Sequence, residues 1–297
     1  MTDPTAGLPD GAVPFVKMNG LGNDFVIVDA RVTPLKISNA AAQRIADRER
    51  GVGCDQLIIL EATDTPGADV FMRIRNHDGG EVDACGNATR CVAWLLNRSG
   101  LAAMPVIETN AGLLSGTVHE DDTVSIDMGM PKFGWQDIPL SEQFAETRYI
   151  ELNVGPRDAP SLHSPSVANV GNPHCIFWVD DLDAHDLSKV GPFLEHHPLF
   201  PERANISLAH VTSKDALTLR TWERGVGLTK ACGTAACAAA VSAHRKRLTG
   251  RSVTVTLPGG PLHIAWREAD DHIVMTGAIE FEEQAAIDAD DFLIERL

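Results

Sequence analysis

The chain has 297 residues, 44% hydrophobic and 22% charged, a balance that buries a sizeable core in one large domain or two ordinary ones. Against 25 Lys and Arg stand 41 Asp and Glu, a formal net charge of −16 with no basic tract to offset it, which argues against nucleic-acid and anionic-membrane partners. Residues 1–14 lack the basic start and apolar run of a signal peptide, and no apolar stretch is long enough to span a bilayer, so the expectation is a cytoplasmic protein.

In chain order, "GNDFVIVDA" (residues 22–30), "QLIIL" (56–60) and "VFMRIR" (70–75) are apolar or β-branched runs and predict strands. A helix is predicted from Cys85 to about residue 97, in "DACGNATRC" and the apolar stretch after it. The alternating segment "GLLSGTVHEDDTVSIDMG" (112–129) predicts antiparallel hairpins. Residues 133–165, rich in Pro and charge, are expected to form an inter-domain passage or an insertion. The pattern then recurs: strands in "CIFWVD" and "LTLRTW", a helix from Cys232 to about residue 247 ending in Arg245, Lys246 and Arg247, and a meander over 252–277.

This recurrence is an internal repeat. Asn23 and Asn172 lie 149 residues apart, as do Gln56 and Asn205; Cys85 and Cys232 lie 147 apart, as do "MRIRN" and "LRTWE". Several correspondences at nearly one offset, about half the chain, predict two homologous halves: 12–130, completed by 279–297, and 131–278. Each half is mostly sheet, wrapped on one long apolar helix.

Both long helices begin at a cysteine followed by glycine. The first N–H groups of a helix have no intrahelical partner and its dipole places partial positive charge there, so a thiolate or a ligand carboxylate is favoured. Gly86 and Gly233, lacking Cβ, admit close approach. Two such thiols, on helix starts that face a ligand from opposite sides, form a two-base racemase: one removes a proton from carbon, the other delivers one to the opposite face, without a cofactor. The other cysteines, Cys54, Cys91, Cys175 and Cys237, read as packing, and the spacing of five or six residues to the nearest helix-start thiol is not that of a metal site.

At these residues the chain resembles the diaminopimelate epimerase family of PLP-independent enzymes. The matching stretches are "MNGLGNDFVIVD", "GVGCDQ", "RNHDG", "DACGNATRC", "GNPH", "ERGVGLTKACGTAA" and "MTG", in order over nearly the whole chain. The resemblance implies an α+β fold of two pseudo-symmetric domains, each a curled, mainly antiparallel sheet around a central α-helix, and a homodimer. It implies that Cys85 and Cys232 interconvert LL- and meso-2,6-diaminopimelate, a step toward lysine and peptidoglycan precursors, with no cofactor and no metal. Gly86, Asn87, Gly233 and Thr234 are then helix-end donors, and Asn23, Gln56, Asn76, Asn172 and Asn205 hold polar groups of the substrate. Arg224 pairs with the distal carboxylate. His174 and Glu223 set which thiol is ionised, and Glu223 also reaches substrate.

The chain departs from the usual family pattern at Ala88, at Leu228–Thr229 and at His77, none of which carries a transferred role. Two other readings remain open from the residues: a proline or hydroxyproline racemase of the same superfamily, which has no use for Arg224, and a redox protein whose thiols form a reversible disulfide.

Overall fold

A computed structural model describes residues 11–296 and divides them into two compact units. The first runs to Ile126 and resumes at Gly277; the second is Asp127–Thr276. Both are sheet-dominated, and the fold is α+β with four helices among the described residues.

In the first unit β1 (Ala12–Asn19) and β2 (Asp24–Asp29) form an antiparallel pair, with Phe15 opposite Val28. After β3 (Leu35–Ile37) and α1 (Asn39–Ala46), β4 (Gln56–Glu61) runs parallel to β2, and β5 (Val70–Asn76) returns antiparallel to it. The short β6 (Glu81–Val82) leads into α2 (Gly86–Arg98). From there β7 (Val106–Thr109) runs parallel to β5, β8 (Gly112–Val118) pairs with β7, and β9 (Val124–Asp127) follows.

The second unit opens with residues 133–165, where the small hairpin β10 (Asn153–Val154) and β11 (Leu162–His163) forms. This segment is not a passage between units: Ile138, Leu140, Ile150, Leu152 and Leu162 are buried in one cluster with Phe177 and Leu208 of the second unit. Then β12 (Ser166–Asn169), β13 (Pro173–Trp178), α3 (Leu187–Glu195), β14 (Asn205–Ser213), β15 (Ala216–Glu223), β16 (Gly227–Thr229), α4 (Gly233–Arg245), β17 (Ser252–Leu257), β18 (Gly260–Trp266) and β19 (Ile273–Gly277) repeat the first unit's order except for β3, which has no counterpart. The C-terminal strands return to the first unit: β20 (Glu280–Asp288) pairs with β1 and β21 (Ile294–Arg296) with β3.

The repeat is visible in register. Phe25 stands opposite Gln56 between β2 and β4, and His174 opposite Asn205 between β13 and β14, both partners displaced by 149. In the next pair Leu57 faces Arg75 and Ile206 faces Trp222, the first partner displaced by 149 and the second by 147. The two-residue difference in offset is a shorter β14–β15 turn.

Each central helix is buried nearly all round by its sheet; the buried surface of α4 is almost wholly apolar, whereas that of α2 also includes Asn87, Thr89 and Arg90. In α2 every residue from Asn87 to Ala93 is buried, and in α4 every residue from Ala235 to Ala243. Small side chains let the sheet close in. A Cβ at Gly116 on β8 would lie 2.6 Å from the Ala93 Cβ of α2. Gly116→Ala is therefore expected to destabilise the fold by about 1–3 kcal/mol through overpacking. Thermal unfolding would show a Tm lowered by a few degrees; an unchanged Tm would mean that the strand gives way without cost. Two shorter helices were not singled out from sequence. The Ser38 hydroxyl accepts the Ala41 N–H to start α1, and Asp186 accepts the Ser188 N–H to start α3. No helix among the described residues is long and apolar enough to cross a membrane.

Candidate active site

Within the first unit, Cys85 is the N-cap of α2, in extended backbone (φ −144°, ψ 109°), and its side chain does not cap the helix. The Cys85 carbonyl accepts the Thr89 N–H at 2.9 Å, so the helix begins at Gly86 and its first N–H groups have no partner within the helix. Asn23, in the β1–β2 turn, brings Oδ1 to 3.8 Å from the Cys85 Sγ and to 3.5 Å from the Asn87 Nδ2. Gln56 Nε2 donates to Asn76 Oδ1 at 2.9 Å across the β4–β5 pair, while Gln56 Oε1 is buried with no hydrogen-bond partner among the described residues. An unspent buried acceptor suits a ligand ammonium.

Asp55, not singled out from sequence, holds this cluster. Its Oδ2 accepts from Asn23 Nδ2 at 2.9 Å and from the Asp24 N–H at 3.2 Å, and its Oδ1 pairs with Arg48. Arg48 is also bidentate to Asp24 at 2.9 and 2.8 Å. The "GVGCDQ" stretch carried the signal, but only Gln56 was taken from it.

Within the second unit, Cys232 caps α4 in the same way (φ −125°, ψ 107°), 4% exposed, with its Sγ 3.5 Å from the Thr234 Oγ1. Asn172 Oδ1 lies 2.7 Å from His174 Nε2, which must carry the proton because the amide oxygen only accepts. The His174 imidazole is fully buried, and burial, with the nearby Arg224 charge, pulls its pKa down to about 3, so it is neutral. Its Nδ1 has no hydrogen-bond partner among the described residues. Asn205 donates to the Pro173 carbonyl at 3.0 Å and accepts the Arg224 N–H at 2.9 Å.

Glu223 accepts from the Thr229 hydroxyl and sits beside the Cys232 thiol. Burial raises both groups above their ordinary values; for the thiol the Glu223 charge adds to the rise, against the Thr234 hydroxyl and the Ala235 N–H, which favour thiolate. The flanks of Glu223 and Arg224 are fixed by Glu195, the last residue of α3. Its Oε2 accepts the Trp222 indole N–H at 2.7 Å and its Oε1 the Gly225 N–H at 2.9 Å. Glu195 had no sequence signal, since it meets Trp222 only through the fold.

The two clusters are equivalent in position and unlike in chemistry. At the 149 offset His174 takes the place of Phe25, and at the 147 offset Glu223 takes that of Asn76. The first thiol thus has the Asn23 amide beside it, and the second the Glu223 carboxylate. The Glu223 effect is testable. With Cys85 replaced by Ser, Glu223→Gln is expected to lower the pH at which Cys232 is alkylated by iodoacetamide, because removing a like charge favours the thiolate. An unchanged or higher pH would deny that coupling.

The remaining thiols, Cys54, Cys91, Cys175 and Cys237, are all buried. Cys54 and Cys91 are buried, and burial pushes their pKa values up to about 12; Cys175 is raised further by the same cause. None of the six cysteines forms a disulfide.

The family model described as diaminopimelate epimerase matches residues 15–134 and 166–282, leaving 135–165 outside. The chain is 55% identical over 279 residues to a diaminopimelate epimerase of Afipia carboxidovorans, covering 94% of this chain and 96% of that one. It is 56% identical over 275 residues to that of Brucella anthropi, covering 92% and 91%. Among solved structures it shares its fold with a hydroxyproline epimerase from Agrobacterium vitis with bound trans-4-hydroxy-L-proline (TM-score 0.65, 14% identity, 94% of this chain and 93% of that one). A Bacillus anthracis phenazine biosynthesis protein of the PhzF family is similar in fold too (TM-score 0.64, 19% identity, 93% and 99%).

Proposed function

The chain belongs to the diaminopimelate epimerase family, an isomerase family, and from that premise we propose that it interconverts LL- and meso-2,6-diaminopimelate by a two-base mechanism without a cofactor. The observation that supports this reading most directly is a cysteine at the N-cap of the central helix in each repeat, its side chain engaged in no cap of its own. The substrate's α-carboxylate takes the first-turn N–H groups, those of Gly86, Asn87, Gly233 and Thr234. Negative charge develops on that carboxylate as the α-proton leaves, and pre-aligned donors stabilise it without reorganisation.

Cys85 and Cys232 act on opposite faces of the α-carbon. In one direction Cys232 is the thiolate that abstracts the proton and Cys85 the thiol that returns one; in the other direction the roles exchange. Glu223 and neutral His174 distinguish the two thiols, so that a single proton is shared out between them rather than both ionising. Asn23, Gln56, Asn76, Asn172 and Asn205 orient the substrate's polar groups, Gln56 Oε1 accepting from an ammonium. Arg224 holds the distal carboxylate, and Glu223 borders it. The hydroxyproline epimerase likeness is one of fold, and the high identities lie with the diaminopimelate epimerases. A cytoplasmic homodimer completes the reading.

Turnover of LL-2,6-diaminopimelate by the purified protein in heavy water tests substrate and chemistry together. The expected product is meso-diaminopimelate with one deuterium at the inverted carbon. Absence of turnover would overturn the substrate, and inversion with the original protium fully retained would overturn the exchange between two thiols.

A further inference from the structure

The far end of α4 builds a cationic hollow that this reaction does not use. Arg148, His244, Arg245, Arg247, Thr249 and Arg251 line a cavity of about 530 Å³, with Trp266 also in its wall. All belong to the second unit. The thirteen residues of α4 rise about 20 Å from the Cys232 end, so the hollow is separated from that thiol by the length of the helix.

In a chain of net charge −16 this concentration of cations stands apart. Against Arg148, Arg245, Lys246, Arg247 and Arg251 are set Glu146, which pairs with Arg148 at 2.5 Å and Arg245 at 3.5 Å, and Glu268 and Asp271, at 3.6 and 3.5 Å from Arg251. The four lining guanidiniums and the adjoining Lys246, whose Nζ lies 3.4 Å from the Arg148 carbonyl, set against these three carboxylates, leave a surplus of two positive charges. The guanidiniums are held in place: Arg251 lies 4.3 Å over the Trp266 ring and Arg245 3.9 Å over Phe133. Trp266 is in turn braced edge-on by His244 at 5.5 Å and Phe133 at 5.8 Å.

Two polar atoms in the lining are buried without a hydrogen-bond partner among the described residues: the Thr249 Oγ1 and the His244 Nδ1. Thr249 is only 6% exposed. A buried hydroxyl left unpaired is costly, and a ligand oxygen would satisfy it. The C-terminal end of a helix disfavours an anion, so the arginines and not the helix make this site.

We propose that the hollow binds a phosphoryl dianion, free or carried on a small metabolite. Two surplus charges match a dianion better than a single carboxylate, and guanidinium forks on several sides suit the oxygens of a tetrahedral group. Arg247 and Arg251 take phosphoryl oxygens, and the Thr249 hydroxyl donates to another.

Calorimetric titration of the full chain at low ionic strength, with inorganic phosphate, pyrophosphate, a sugar phosphate and citrate, tests this. Saturable binding of phosphate or pyrophosphate is expected, weakened at least tenfold by Arg247→Ala with Arg251→Ala and severalfold by Thr249→Val. Where loss of the Arg251 stack lowers Tm, Arg247→Glu at its exposed position carries the same test. Tighter binding of the sugar phosphate than of phosphate identifies a phosphorylated metabolite; equal affinity identifies free phosphate. Absence of saturable binding, affinity undiminished in these variants, or citrate bound as tightly as pyrophosphate would overturn the proposal.

Discussion

Cys232→Ser is expected to lower kcat roughly a thousandfold or more, within the range general acid–base groups contribute, and Cys85→Ser to do the same. The side chains differ by one atom, so each N-cap retains its place and Tm should stay close to wild type. The loss is chemical: a hydroxyl does not ionise near neutral pH, and burial with the Glu223 charge already raises the group at position 232. In the proposed two-base mechanism each turnover needs a base on one face and an acid on the other, so either substitution is expected to stop both directions. The double variant should be little worse than either single one, since residues that act as a unit are non-additive. Steady-state rates in both directions, beside Tm, are the measurement; near-wild-type turnover in either single variant would end the two-thiol mechanism.

Arg224→Ala is expected to lower kcat/KM about a hundredfold, chiefly through KM, the scale of removing one charge-assisted partner from a carboxylate. Its backbone N–H is committed to Asn205, and its Nη1 donates to the Glu202 carbonyl at 3.1 Å, which aims the guanidinium while leaving donors for a ligand. Arg224→Lys should restore little, because an ammonium lacks the planar fork. Competition by amino acids lacking a second carboxylate should rise relative to substrate. Unchanged kinetics would remove Arg224 from the distal carboxylate.

Much of this was legible along the chain because it is local or periodic. A cysteine before glycine at the start of a helix could be read because that helix is specified within a dozen residues. The 149 and 147 offsets could be counted because the strands on which Asn23, Gln56, Asn172 and Asn205 depend retain the same register in both repeats. Residues 133–165 read from their prolines and charges as an inter-domain passage or an insertion; their scattered Ile and Leu side chains seal the core of the second unit. The short helices α1 and α3 escaped notice because eight or nine residues barely sustain a helix alone; burial against their own sheets stabilises them.

Sequence alone determined the repeat, the two helix-start cysteines and the family pattern, since each rests on neighbours within one stretch or on a constant spacing. Tertiary structure alone decided that Asp55 steadies Asn23, that Glu195 pins both flanks of Glu223 and Arg224, and that arginines nearly a hundred residues apart meet around Thr249. Hydrogen bonds and ion pairs act over a few ångströms of space, and which distant side chains share those ångströms is set by how the strands pair and enclose their helix.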